Sequence, residues 1–137
     1  MVRTVESGKL AEFKVLAMLV KLGFSLFVPV VDTGVDAVAE WWADKPPTYY
    51  GVQVKSSSFI SKYRSWAWNV DPKTFRVSES NFLILVLEDS DRLPEKVRLA
   101  TRRAEAPDLY ALVMPTEDFE TYYALKSLRW PREEHTE

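Results

Sequence analysis

The sequence predicts an α/β domain built on a central mixed β-sheet of four to five strands flanked by helices. Three features of the 137-residue chain indicate this class. A helical apolar pattern opens the chain, several short strand patterns follow it, and one continuous apolar run lies near the middle. The length fits one ordinary domain, which we expect to span residues 1–130, followed by a polar C-terminal tail at residues 131–137.

The first predicted element is a helix over residues 6–22. Apolar residues recur there at helical spacing, and Gly23 follows at a position where helices commonly end. One apolar stripe of this helix consists of Leu10, Phe13, Ala17 and Val20.

Strand patterns follow the helix. Residues 25–30 predict a strand, with Pro29 favouring an edge or a strand end, and a turn at residues 32–34 leads to a second strand at residues 35–42. A turn rich in proline separates this strand from a third one, at residues 49–56. The apolar run Asn81–Leu87 is typical of a strand that is buried on both faces, so we expect it at the centre of the sheet.

The C-terminal third predicts one more strand and a helix. Residues 109–114 form the strand pattern, and Glu117 and Asp118 mark the start of a helix that we expect to run to about residue 127. Residues 94–103 fit either a helix or an irregular strand, and the aromatic, basic segment 57–77 fits either a loop or an extra strand.

The composition excludes several kinds of chemistry. The chain has no cysteine, which excludes disulfides, thiolate zinc sites and a cysteine nucleophile, and the only histidine, His135, lies in the polar tail. Catalysis would therefore depend on carboxylates and lysine. A secretory signal pattern and an apolar run of about 20 residues are both missing, so we expect a cytoplasmic protein with no membrane partner. We also expect no organic cofactor.

The overall charge argues against a non-specific DNA-binding protein. The net charge is −2 and the pI is about 5.5, whereas such proteins carry a positive excess. The charge is unevenly distributed, because a basic group in the middle of the chain contrasts with an acidic group in the tail. The basic group is Lys62, Arg64, Lys73 and Arg76, and the acidic group is Glu133, Glu134 and Glu137.

Polar side chains on two neighbouring strands predict a site. Because side chains alternate along a strand, Gln53 and Lys55 share one face while Val52 and Val54 share the other. Asp36 lies in the preceding strand. If the two strands pair as a hairpin, Asp36 approaches Gln53 and Lys55, and the arrangement suits a metal ion next to a cation.

Glu12 on the first helix supplies a second carboxylate. It lies in the same sector of the helical wheel as Leu16 and Leu19, which predicts that it is buried without an obvious local partner. A divalent cation or a buried lysine would compensate its charge. The alternative is a structural ion pair with Lys9 or with a remote arginine.

The order of these residues resembles the PD-(D/E)XK nuclease superfamily. Glu12 on the first helix, Gly34-Val35-Asp36 at the start of a strand and Gln53-Val54-Lys55 on the next strand match its motifs, in the variant that has Gln at the acidic position. The resemblance covers about residues 6–58 and is strongest to small resolvase-like or restriction-like endonucleases of prokaryotes. It implies a restriction endonuclease-like fold with the core order αβββαβ.

The resemblance also implies an activity and roles for the residues. The chain would be a metal-dependent endonuclease that hydrolyses DNA phosphodiester bonds by attack of an activated water. Glu12, Asp36, the Gln53 side-chain oxygen and the Val54 carbonyl would bind Mg²⁺, for which Mn²⁺ can substitute. Lys55 would orient the water or neutralise charge on the phosphoryl oxygens. Glu12, Asp36, Gln53 and Lys55 are thus the predicted catalytic residues.

Two alternatives stay open from the sequence. Gln53 removes one negative charge from the site, so a catalytically inactive nucleic-acid-binding module on the same fold is one alternative. A protein-interaction domain is another. The sequence leaves open whether a nucleic-acid substrate is a junction, a specific duplex site, a damaged duplex or RNA.

The remaining predictions concern partners. Four polar residues after the site are candidate contacts to DNA: Ser56, Ser57, Lys62 and Arg64. A solvated loop explains the serines equally well. Two tryptophans at alternate positions, such as Trp66 and Trp68, more often pack in a core than bind nucleic acid. Because cutting a duplex usually requires two sites, we expect a homodimer that uses the tryptophan-rich middle or the last helix as its interface.

Overall fold

The computed structural model describes residues 5–31, 34–43, 45–70, 77–101, 108–123 and 127–131. Within these ranges a 3₁₀ turn at Ser90–Arg92 accompanies the helices and strands. The helices are α1 (Val5–Lys21), α2 (Glu95–Thr101) and α3 (Thr116–Tyr123). The strands are β1 (Ser25–Phe27), β2 (Ala37–Trp41), β3 (Thr48–Ser57), β4 (Trp66–Asn69), β5 (Asn81–Leu87), β6 (Ala111–Pro115) and β7 (Ser127–Trp130).

Five of the strands form the central mixed sheet that the sequence predicts. Their order is β1-β2-β3-β5-β6, in which β3 and β5 are parallel and the other neighbours are antiparallel. The predicted fold class, a sheet of four to five strands flanked by helices, is therefore confirmed. The apolar strand β5 has a neighbour on each side, and every residue of Leu83–Leu87 is buried, which confirms its predicted central position.

The connection between the two parallel strands differs from a helical crossover. Parallel neighbours need a long connection, and the described part of this one contains strand β4, whereas α2 follows β5. Strand β4 pairs with β7 in a separate two-stranded sheet, with Trp66 opposite Trp130. Segment 57–77, for which the sequence allowed either a loop or a strand, thus contains strand β4. Residues 94–103, for which the sequence allowed either a helix or an irregular strand, contain helix α2.

The predicted end of the last helix is wrong. Helix α3 ends at Tyr123, and Ser127 begins β7 instead of ending the helix. The physical reason is tertiary packing, because Leu128 is buried in the core and Trp130 packs against Trp66. The first strand is also shorter than expected, since β1 ends at Phe27, just before the segment that contains Pro29.

Two apolar cores lie on opposite faces of the sheet. The first joins α1 to the sheet through Ala11, Val15, Leu19, Ala39, Val52, Ile84 and Val86. The second lies under the β4–β7 sheet and α3, and it consists of Trp66, Trp68, Val70, Leu83, Leu85, Leu87, Leu93, Phe119 and Leu128. Because β5 contributes alternate residues to both cores, it connects the two layers of the molecule.

Helix α1 is present as predicted, but the apolar stripe identified in the sequence faces outward. Leu10, Phe13, Ala17 and Val20 are exposed, and the neighbouring stripe of Ala11, Val15 and Leu19 packs on the sheet. A helix with two adjacent apolar stripes does not reveal from periodicity alone which of them is buried.

Several predictions concern residues outside the described ranges. They include the turn at residues 32–33, the tail beyond Pro131 with His135 and its glutamates, and the basic residues Lys73 and Arg76. The division into a domain at residues 1–130 and a tail also stays a prediction. Among the described helices, none combines the length and the apolar character needed to cross a bilayer.

Candidate functional site

The candidate site lies where strand β2 begins and its partner β3 continues. Strand β2 pairs with β3 only from Ala37, opposite Val52, to Trp41, opposite Thr48. Residues 53–57 of β3 keep β5 as their neighbour on one side. On the β2 side, no strand in the described part of the chain pairs with them. We call this stretch beside the second half of β3, which lacks a strand partner among the described residues, the opening.

Asp36 occupies this opening. Gly34, with a φ of 81°, adopts the left-handed conformation that favours glycine and turns the chain towards the strand. The Asp36 amide donates to the Val52 carbonyl oxygen at 2.8 Å. The Asp36 Oδ2 atom accepts a hydrogen bond from the Val54 amide at 2.6 Å. A side-chain carboxylate thus replaces the missing strand partner of Val54 and is held in a fixed position.

Gln53 and Lys55 lie beside the opening, on the face of the sheet opposite α1. In register, Gln53 is paired with Leu83 and Lys55 with Leu85, and both leucines belong to the core under the β4–β7 sheet. The intervening Val52 belongs to the α1 core. Gln53 is buried, with 7% of its surface exposed, and Lys55 is half-buried. Gln53 and Lys55 therefore share one face of β3 and Val52 lies on the other, as the sequence predicts.

Glu12 lies on α1 and forms an ion pair. Its Oε2 atom is 3.2 Å from Lys9 Nζ, and the side chains of Glu12 and Lys9 are 15% and 59% exposed. The ion pair that the sequence offered as an alternative is thus present. A pair with one exposed partner contributes at most about 1 kcal/mol to stability, so Lys9 does not fix Glu12 strongly.

The electrostatics of Asp36 connect these residues. Burial raises the pKa of the Asp36 carboxyl above its ordinary value of 3.8, and the negative charge of Glu12 raises it further. The Val54 hydrogen bond, Lys55 and Lys9 each act to lower the same pKa. Because a charge must be near to have such an effect, Glu12 and Lys55 both lie within electrostatic reach of Asp36.

The predicted metal ligands around the opening are all oxygen atoms. No group of three or more acidic, histidine or cysteine side chains that could hold a metal ion occurs in the described part of the chain. The predicted ligand set contains only two such side chains, Glu12 and Asp36, and takes its other oxygens from Gln53 and the Val54 carbonyl. The N–H and C=O of a strand residue point to the same side, so the Val54 carbonyl faces the opening as its amide does.

The raised pKa of Asp36 has two causes. Burial and Glu12, the two effects that raise it, together exceed the effects of Val54, Lys55 and Lys9 that lower it. A bound divalent ion would supply the positive charge that the two carboxylates lack. An all-oxygen ligand set without cysteine or histidine matches the preference of Mg²⁺.

The two serines after the site differ in their surroundings. Ser57 is buried, and its hydroxyl donates to the Ser58 carbonyl at 3.0 Å and accepts from the Ala67 amide at 3.1 Å. This hydroxyl therefore links β3 to β4 within the protein. Ser56 is half-buried and precedes it on the alternate face of β3.

The two basic residues predicted to contact DNA lie in a tight turn. Lys62 and Arg64 are exposed between Ile60 and Ser65, whose amide and carbonyl groups hydrogen-bond to each other. Lys62 Nζ lies 5.5 Å from the centre of the Tyr63 ring. No described contact joins this turn to Asp36, so the structure does not bring these two residues to the opening itself.

Two contributors to the site had little or no role in the sequence argument. Lys9 entered only as a structural alternative, although its spacing of three residues from Glu12 is one at which helical side chains meet. The Val54 amide could not be identified, because its role depends on where β2 begins relative to β3.

The mixed five-stranded sheet with flanking helices is an α/β fold. It is shared with a solved structure of a bacterial homing endonuclease, I-Ssp6803I, at a TM-score of 0.65 and 16% sequence identity, over 99% of this chain and 83% of that chain. At this identity the likeness establishes the fold alone. No protein-family model matches the chain, and no curated protein matches it.

Proposed function

We propose that this chain is a metal-dependent DNA endonuclease of the PD-(D/E)XK kind. The observation that carries the proposal is the half-buried Asp36 carboxylate in the opening of the sheet, within electrostatic reach of Glu12 on one layer and Lys55 on the other. The fold shared with a homing endonuclease supports the same reaction class. Perturbed acids in such positions are common at catalytic sites.

The proposed ligands of Mg²⁺ or Mn²⁺ are Glu12, Asp36, the Gln53 side-chain oxygen and the Val54 carbonyl. When bound, the ion supplies Lewis acidity, which polarises a phosphate and lowers the pKa of a water. Glu12 would exchange its weak pair with Lys9 for this role. Asp36 needs no rearrangement, because the Val54 amide holds one carboxylate oxygen and leaves the other available.

Lys55 has the proposed role of stabilising charge during the reaction. Its ammonium group would donate a hydrogen bond to a phosphoryl oxygen, or to the attacking water, on the exposed side of the opening. Its half-buried position limits competition from solvent, which strengthens such an interaction. Removing one preorganised donor of this kind typically costs about 10²- to 10³-fold in rate.

Cleavage of DNA tests this proposal. The protein is incubated with duplex, single-stranded and branched DNA in Mg²⁺ or Mn²⁺, beside Asp36→Asn and Lys55→Ala. We expect metal-dependent cleavage that falls by at least about 10²-fold in each variant. Asp108→Asn and Lys96→Ala are the matched controls, because they remove the same charges at exposed positions. Failure to cut any substrate, or full activity of Asp36→Asn, would contradict the proposal.

The second candidate function is a nucleic-acid-binding module without catalysis. The burial of Gln53 favours it, because a buried amide supplies no charge and is also a common structural residue. Salt-dependent DNA affinity without turnover in any metal would support this alternative. A chain that binds no nucleic acid but forms a stable protein complex would instead be a protein-interaction domain.

We further propose that the protein acts as a homodimer. The rings of Trp66 and Trp68 are each only 2% exposed, so they do not provide the interface that the tryptophan-rich middle suggested. The outward stripe of α1 provides a more suitable surface, since Leu10, Phe13 and Val20 are each more than half exposed. Along about 15 Å of helix, this stripe can pack against its own copy around a two-fold axis.

A further inference from the structure

A cavity with aromatic walls and a basic rim lies beyond the C-terminal end of β3. It has a volume of about 610 Å³. Three aromatic residues and two arginines line it together with smaller apolar and polar residues, and none of the lining residues in the described part of the chain is acidic. The residues that matter here are Phe59, Trp66, Trp130, Arg64 and Arg92, and we name this space the aromatic cavity.

The walls of the aromatic cavity are held rigidly. The Phe59 and Trp66 rings are 4.9 Å apart between centroids, and the Trp66 and Trp130 rings are 5.9 Å apart. Trp66 is fully buried, and its indole N–H donates to the Glu88 carbonyl at 2.6 Å. The buried indole therefore fixes Phe59 and Trp130, whose half-buried rings are partly accessible from the cavity.

Arg64 on the rim has an unusual backbone conformation. Its φ is 50°, in the left-handed region that favours glycine or asparagine and is unfavourable for a long side chain. A non-glycine residue in this conformation often indicates that its side chain has a function. Arg92 approaches the same cavity from the 3₁₀ turn, with its Cζ atom 5.5 Å from the centre of the Phe59 ring.

The aromatic cavity lies on the same face of the sheet as the candidate site. Along β3 the alternate residues Gln53, Lys55 and Ser57 lead towards Phe59, which packs with the core on that face. Phe59 lies four residues after Lys55 and two residues beyond the end of β3, so at most about 13 Å separates the two positions. A DNA strand spans this distance in at most about four nucleotide steps.

We infer that the aromatic cavity binds one nucleotide of the DNA substrate, a few steps from the cleaved phosphate. An unstacked base would lie against Phe59 and Trp130, and Arg64 and Arg92 would bind the adjacent phosphate. A separate cavity of about 410 Å³ has one basic lining residue, Lys14, against four acidic ones, Glu88, Asp89, Asp91 and Asp108. Its excess of negative charge would repel a phosphate, which supports the choice of the basic cavity. The inference rests on the proposed action on DNA.

Arg64→Gly is the decisive variant. It removes the guanidinium and relieves the left-handed backbone, so we expect a melting temperature equal to or above that of the unmodified protein. Affinity for a short fluorescent oligonucleotide, measured by anisotropy in EDTA, should fall about tenfold. The slope of log affinity against log salt should become shallower by about 0.7 to 0.9 for each phosphate that the variant no longer binds.

Arg92→Gln and Lys96→Ala complete the binding experiment. Arg92→Gln should weaken binding as Arg64→Gly does, because it removes the second guanidinium of the rim. Lys96→Ala removes the same charge from an exposed position on α2 that does not line the cavity, so its affinity should change less than about twofold. Equal losses in all three variants, or none in the arginine variants, would overturn the inference.

A crosslinking measurement tests the position of the base. An oligonucleotide that carries 5-iododeoxyuridine is irradiated in complex with the protein, and the modified residue is identified by mass spectrometry. Crosslinks at Phe59 or Trp130 are expected. Crosslinks confined to residues outside the aromatic cavity would overturn the inference while leaving DNA binding intact. Complete absence of DNA binding by the unmodified protein would contradict the proposed function itself, so the two failures are distinguishable.

Discussion

At the scale of single residues, Asp36 is a group whose pKa the fold raises. It has a backbone hydrogen bond that favours its charged form, yet burial and Glu12 outweigh this effect and raise its pKa. A site of this kind is destabilised by its own charge when no cation is present. The fold thereby keeps a geometry that suits a ligand at some cost in stability.

This perturbation predicts a pH dependence of stability. Between 3.8, the ordinary pKa of an aspartate, and the raised pKa of folded Asp36, the folded state binds more protons than the unfolded state. The contribution of Asp36 to stability is therefore present at low pH and is lost as the pH rises through the folded pKa. Asp36→Asn keeps an acceptor for the Val54 amide and removes the charge.

Urea unfolding in EDTA at several pH values measures this effect. The free energy of unfolding of Asp36→Asn, relative to the unmodified protein, should increase with pH across the window and then level off. Asp108→Asn is the matched control for loss of an exposed carboxylate. A variant that is less stable at neutral pH, or a difference that does not vary with pH, would contradict the electrostatic account. Added Mg²⁺ should stabilise the unmodified protein more than the variant.

Part of the site could be predicted at this scale. Alternation along a strand was sufficient to place Gln53 and Lys55 on one face, because Val52 and Val54 marked the other as apolar. The Val54 amide and the buried Ser57 hydroxyl could not be predicted, because their partners belong to other elements and depend on register.

At the scale of elements, the sequence did not reveal which of the two apolar stripes of α1 is exposed. The exposed stripe has the apolar content of a buried face, yet the adjacent stripe packs on the sheet. Four apolar residues on successive turns of the outward side of α1 make a continuous patch, and exposed apolar patches often mark interfaces. In the proposed homodimer, the same patch of the second copy covers it.

Phe13→Glu tests that assignment. The Phe13 side chain is 61% exposed, so a charge there should leave the monomer folded while opposing self-association. We expect the mass measured by light scattering to fall from that of a dimer to that of a monomer. Leu99→Glu on α2 is the control, because it adds the same charge at an exposed apolar residue outside the stripe. A dimer that survives Phe13→Glu would move the interface elsewhere.

Strand β7 shows why the last element was assigned incorrectly. Residues 127–130 continue a stretch that begins as a helix, and local propensity does not signal a change. The strand forms because its partner β4 offers the buried Trp66 and Trp68 as packing surfaces. Neither tryptophan is near residue 127 in sequence, so the pairing is a tertiary effect.

At the scale of the whole molecule, β5 connects the two cores. Its residues alternate between the α1 core and the core under the β4–β7 sheet, and Leu83 and Leu85 are both fully buried. The sequence predicted this central role because an uninterrupted apolar strand must be covered on both faces. The two-stranded sheet that covers one face was not predictable, because its strands are about 60 residues apart in the chain.

Leu85→Ala should be among the most destabilising changes in the chain. Leu85 is 0% exposed and lies beside Lys55 in the sheet, so its loss leaves a cavity under the candidate site. The free energy of unfolding should fall by about 2–5 kcal/mol. Leu99→Ala on α2, at a residue that is 66% exposed, should change it by less than about 0.5 kcal/mol. Similar effects of the two substitutions in urea titrations would contradict the assigned core.

The hydrogen bond from the Val54 amide to Asp36 gives the protein an internal reporter. In a ¹⁵N-labelled sample, the resonance of this one amide should shift as the carboxylate gains a proton or a cation, whereas amides bonded to carbonyl groups sense neither event directly. Spectra recorded along a titration would thus follow occupancy of the opening in solution, without any DNA or turnover.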